Sequence, residues 1–122
     1  MEKELLNWLE LAKADLLTAE EVLKNKKILP AISVYHSHQC VEKLIKLFLL
    51  NKKKDVPKIH NLNKLLSDAS SKELFALEDQ ITELNTYLPK LRYPTGDSLS
   101  IDEANRMLLI AKSVYAIVSG NL

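Results

Sequence analysis

Residues 30–50 read PAISVYHSHQCVEKLIKLFLL, and their pattern decides the fold. Val34, His38, Val41, Ile45 and Phe48 recur at alternating spacings of four and three, which is one stripe of an α-helix. Ile32, His36, Cys40, Leu44 and Leu47 broaden that stripe until only a narrow polar face remains, carrying Gln39, Lys43 and Lys46. So wide an apolar surface belongs to a helix covered by neighbours on more than one side. Pro30 suits its first turn, where a missing N–H costs nothing. Residues 30–50 are therefore expected to form the central helix of an all-helical domain.

The flanking segments repeat the helical period. Upstream, Leu5, Leu9, Ala12, Leu16, Ala19 and Leu23 mark a long amphipathic helix over residues 3–25, with Trp8 and Leu17 widening its apolar side. Downstream, Asn51-Lys52-Lys53-Lys54-Asp55-Val56-Pro57 is a polar connection. A short helix follows over 61–69, with Leu62, Leu65 and Leu66 inward. Ser70-x-x-Glu73 has the capping-box pattern and predicts a fourth helix reaching Tyr87, lined by Leu74, Leu77, Ile81 and Leu84. Pro89, Pro94 and Gly96 break the chain between 88 and 99. A second box, Ser100-x-x-Glu103, opens the last helix, 101–119. The expected architecture is an up-and-down four-helix bundle with one additional short helix, five helices in a single domain over residues 1–122.

Composition agrees. Among 122 residues, 47% are apolar and 27% charged, with only two glycines and four prolines, too few turn formers for a β-sandwich or barrel. A net charge of +1 singles out neither DNA nor an anionic membrane as partner. The lone Cys40 fits a reducing compartment. The start Met1-Glu2-Lys3-Glu4 lacks signal-peptide character, and no apolar run approaches the roughly 20 residues of a membrane span. A cytoplasmic, soluble protein is expected.

Few residues carry recognisable chemistry. His36 and His38 stand two apart on a helix, about 200° of rotation, so their rings point to opposite sides and form no metal site. Neither a metal nor another cofactor is expected. Cys40, mid-helix on the apolar face, reads as an inert thiol. No Ser/His/Asp nucleophile signature or glycine-rich phosphate loop occurs, and no catalytic residue is assigned. From Glu42 to Lys64, seven lysines face only Glu42 and Asp55, a basic segment suited either to phosphates or to ordinary solvation. Arg92-Tyr93-Pro94 sets a planar guanidinium beside an aromatic ring, a pair suited to a phosphate, a base or a carboxylate, or to anchoring a loop.

The ordered set His38-Gln39-x-x-Glu42-Lys43-x-x-Lys46, His60-x-Leu62-x-x-Leu65 and Arg92-Tyr93-Pro94, followed by an alanine-bearing last helix, resembles the HEPN domain (higher eukaryotes and prokaryotes nucleotide-binding) over about residues 3–118. The resemblance implies a five-helix bundle, usually homodimeric, similar to the substrate-binding domain of kanamycin nucleotidyltransferase. It implies a binding module for nucleotide, or for the substrate of a separately encoded minimal nucleotidyltransferase, in some cases within a toxin–antitoxin pair. The matching positions His38, Gln39, Lys43, His60, Arg92 and Tyr93, with Lys46 on the same helix, form the expected nucleotide- or partner-binding set. Many HEPN toxins are metal-independent ribonucleases with an arginine, four to six residues, then a histidine. Here Arg92 is followed at those positions by Asp97, Ser98 and Leu99, and Arg106 by Ala111, Lys112 and Ser113. Ribonuclease activity is thus the disfavoured alternative, and a purely structural homodimer a third reading.

Overall fold

The computed structural model describes residues 2–92 and 98–122, the side chain of Arg92 excepted. Its helices are α1 (Lys3–Val22), α2 (Pro30–Asn51), α3 (Leu62–Ala69), α4 (Lys72–Phe75), α5 (Glu78–Thr86), α6 (Leu88–Arg92) and α7 (Ile101–Gly120). No strand occurs among the described residues. The protein is all-helical, as the periodicity requires.

α2 is the centre. Val34, Cys40, Val41, Leu44, Ile45, Leu47, Phe48 and Leu49 are all buried, and α1, α3 and α7 cover it. α1 runs antiparallel to α2 and meets it through small residues: Ala12 and Ala19 on one side, Ser33, Ser37 and Cys40 on the other, all without exposed surface. The hydroxyl of Ser33 donates to the Ala19 carbonyl at 2.7 Å, satisfying a side chain that would otherwise be stranded in the seam.

The arm formed by α4 and α5 runs antiparallel to α7. Asn121 approaches Glu73 at one end, Arg106 bonds Glu83 at 2.6 Å further along, and the Tyr87 hydroxyl donates to Glu103 at 2.6 Å at the other. α2 and α7 run in the same sense: Pro30 and Leu99 line one cleft where both begin, and Asn51 donates to the Asn121 carbonyl where both end.

Several boundaries depart from expectation, each for a local reason. Ser70 does not cap the fourth helix. It closes α3 in the left-handed region (φ 51°), and Ser71 is the cap, accepting from the Leu74 N–H. The helix expected over 70–87 breaks at Ala76 and Leu77, where the Leu77 N–H returns to the Leu74 carbonyl in a tight i to i−3 turn. Glu78 and Asp79 then stand in the first turn of α5, complementing its dipole. The segment after Leu88, expected as broken chain, begins with α6. Pro89 lies in the first turn of that helix, where it lacks no needed donor. The Ser100–Glu103 box forms in full. Leu17, read as widening the apolar side of α1, is 53% exposed, and Ile32 on α2 also faces water.

The Tyr87–Glu103 bond yields a pH prediction. Burial, then the hydrogen bond to Glu103, pushes the Tyr87 phenol from 10.0 up to about 12. The Glu103 carboxyl is held below its ordinary 4.5 by the Tyr87 hydroxyl first and the Ser100 N–H next. A raised tyrosine stabilises fully below its ordinary value and loses that contribution as pH rises through its folded one. A lowered carboxylate stabilises above its ordinary value and loses the contribution as pH falls. Tyr87→Phe should therefore lower Tm at neutral pH. The difference from wild type should narrow below 4.5 and between 10.0 and about 12, as read by thermal melts across pH.

Candidate functional site

A helix as deeply covered as α2 has little room for charge, yet Glu42 and Lys46 are both on it and both nearly out of water, at 5% and 8% exposure. Spaced four apart, they reach each other: the Lys46 ammonium donates to Glu42 Oε2 at 3.2 Å. The other oxygen, Oε1, is met at 2.9 Å by Nδ1 of His60. His60 stands in the connection before α3, and that connection is pinned. Asn61 caps α3 by accepting from the Lys64 N–H, and the Leu62 N–H donates to the Asn85 side chain at 2.9 Å. A carboxylate only accepts, so Glu42 takes the proton side of the ring at Nδ1. In the neutral ring Nε2 is then the acceptor, on a side chain 51% exposed.

The same arrangement recurs across the α1–α2 seam. Asp15, buried on α1, receives Nδ1 of His36 at 2.8 Å on one oxygen and the Lys43 ammonium at 2.5 Å on the other. His36 and Lys43 are partly exposed, and Gln39 lies between them along the same edge of α2. Each buried carboxylate thus holds one histidine and one lysine, a pairing that compensates the desolvation of the acid.

The expected binding set is divided by this geometry. Lys46 and His60 come together through Glu42. Lys43 turns the other way, to Asp15, so Gln39, Lys43 and Lys46 do not present one common cationic face. His38 is fully buried in the core. Arg92 is the last residue of α6, a helix that packs on α2 and follows α5 directly. Tyr93 lies outside the described residues.

Sequence reasoning missed Asp15 and His36. One signal was present: Asp15 lies between Ala12 and Ala19 at helical spacing, an acid on the buried stripe. Cys40 sits close by, and burial, then the charge of Asp15, pushes its thiol up to about 12 despite the opposing Lys43. It is no nucleophile at neutral pH. Among the described residues, no three histidine, cysteine or acidic side chains converge as a metal site.

These helices and this order of polar residues define a helical domain organised by two buried carboxylates, Asp15 on α1 and Glu42 on the central α2. The HEPN domain family model matches residues 5–121, essentially the whole chain, and the protein belongs to that family. A crystal structure of TT1696 from Thermus thermophilus is similar in fold, with a TM-score of 0.84 and 23% identity over 99% of this chain and 100% of that one. No curated protein matches the sequence.

Removing Glu42 alone leaves Lys46 buried without its counter-charge. Glu42→Ala should cost about 3–5 kcal/mol, whereas Glu42→Leu combined with Lys46→Leu should fall within about 1 kcal/mol of wild type or above it. Denaturant unfolding of the two variants checks both.

Proposed function

We propose that the protein is a non-catalytic HEPN binding module that holds a nucleotide, or a nucleotide-bearing substrate, for a separately encoded minimal nucleotidyltransferase. The observation that carries this reading is His60, oriented by a buried carboxylate and half-open to water, at the position where the family motif has its histidine. An aromatic ring with a fixed acceptor suits the edge and face of a base. α6, which ends at Arg92, packs on α2, the helix that also anchors His60. We read the protein as a cytoplasmic homodimer, with a toxin–antitoxin pairing as its setting. No helix among the described residues is long and apolar enough to cross a membrane. We further read α1, α2, the α4–α5 arm and α7 as an up-and-down four-helix bundle, with α3 as its additional short helix. The antiparallel contacts of α1 with α2 and of the arm with α7 support that reading.

The ribonuclease alternative needs an arginine beside a histidine, and Arg106 is instead bound to Glu83.

Calorimetric titration of mononucleotides tests the proposal. One of them should bind, and Arg92→Ala should weaken binding at least ~10-fold, about 1.4 kcal/mol, with Tm unchanged, while His60→Ala should weaken it as much and also lower Tm, because it strips buried Glu42 of a partner. No heat with any nucleotide, together with no complex with a co-encoded transferase, would leave only a structural dimer. Sedimentation at micromolar concentration should give twice the 13.9 kDa chain mass, and purified protein should leave RNA intact.

A further inference from the structure

The end of the molecule where α2 and α7 begin is apolar and open. Ile28, Leu29, Ile32, Tyr35 and Ile101 are all exposed there, Leu29 at 71% and Ile101 at 50%. Leu29, Ile32 and Tyr35 follow at spacings of three, so they form one strip along the first turns of α2. An apolar cluster of this size on a water-facing surface marks a contact with something else.

The position of Leu29 sharpens the point. It is the N-cap of α2, with extended backbone and no side-chain capping bond. That position favours Asp, Asn or Ser, whose side chains accept from the first free N–H groups, and leucine is among the poor choices. The sequence therefore forgoes helix stability to keep a large apolar side chain in water.

The surface also has a shape and a charge. Two pits flank Pro30. One, of about 160 Å³, is bounded by Leu29, Pro30, Ala31 and Leu99, and the other, of about 50 Å³, by Leu23, Ile28, Pro30 and Ile101. Among the described residues, each has a single charged side chain in its wall, and in both it is a lysine: Lys90 in the first and Lys26 in the second. Lys27 follows Lys26 in the chain, and Asp102 follows Ile101. Neighbouring pits fit successive apolar side chains of one helix, and Lys26 and Lys27 at their edge fit acids flanking those side chains. A second copy of this chain would bring the same lysine-edged face, lysine toward lysine.

We propose that this end is a docking surface for an acidic amphipathic helix of a different protein. It lies apart from the Glu42–His60 cluster, and the inference does not depend on the nucleotide reading.

The test uses the full chain and three synthetic labelled peptides, read by fluorescence anisotropy. The first carries leucines at i, i+3, i+4 and i+7 with glutamates elsewhere, the second has lysines in place of the glutamates, and the third has the first composition in scrambled order. The first should bind, and the other two at least ~10-fold more weakly. Ile32→Lys, and separately Lys26→Glu combined with Lys27→Glu, should each weaken the first peptide at least ~10-fold. Leu29→Asp should abolish docking while holding or raising Tm, because it supplies the missing cap. Equal binding of all three peptides, or none, would overturn the proposal. So would a wild-type dimer that Leu29→Asp turns into monomer, or anionic vesicle binding that it abolishes, which would assign this face to self-association or to a lipid surface.

Discussion

Glu42 occupies the middle of the central helix and is itself only 5% exposed, and a lone carboxylate there would be prohibitively costly. Two partners make it tolerable: the Lys46 ammonium from one turn further along α2, and the His60 ring from the connection before α3. The second partner matters most for the architecture. It brings the 52–61 connection back onto α2 and sets where α3 starts, and α3 in turn packs on α5. The Asn85 side chain closes the loop by accepting from the Leu62 N–H. One buried acid thus ties together three segments that are distant in sequence.

Asp15 performs the same service between α1 and α2. Buried ion pairs add little net stability over well-packed apolar residues, while an unpaired member is strongly destabilising. Their effect is on register. A seam of Ala12, Ala19, Ser33 and Ser37 is smooth and has no preferred alignment of its own. Asp15 supplies one, since sliding the helices by a turn would strand it away from His36 and Lys43.

The fold was legible because helix periodicity reports burial directly: α1, α2, α3 and α7 lie within a few residues of where the apolar stripes put them. The α4–α5 break was not, because Leu74, Leu77, Ile81 and Leu84 keep helical spacing straight through a turn set by backbone dihedrals at Leu77. Pro89 misled for a related reason, since proline stops a helix from inside and starts one from its first turn. The site was half legible. Glu42, Lys46 and His60 belong to a recognisable motif, but their convergence depends on how a connection folds back, which no periodicity encodes. The opposed directions of His36 and His38 exclude a shared metal, yet they say nothing of what α1 brings to His36.

The basic segment shows how far local charge counts mislead. Seven lysines between residues 42 and 64 suggest an anion-binding surface, yet most are engaged within the molecule. Lys43 and Lys46 neutralise buried acids, Lys64 pairs with Asp68, and Lys54 donates to the Asp68 and Ala69 carbonyls that end α3. The Lys52 ammonium lies 5.5 Å from the centre of the Phe48 ring. Among the described residues, Lys53 and Lys58 remain. Lys52, Lys54 and Lys64 are exposed as well, but their ammonium groups already have partners within the molecule, so the segment offers a polyanion, whose affinity comes from releasing many counter-ions at once, less than the count of seven suggests. On the nucleotide reading proposed above, a ligand at His60 would be held by directed hydrogen bonds and ring contact, as suits a small, base-bearing molecule.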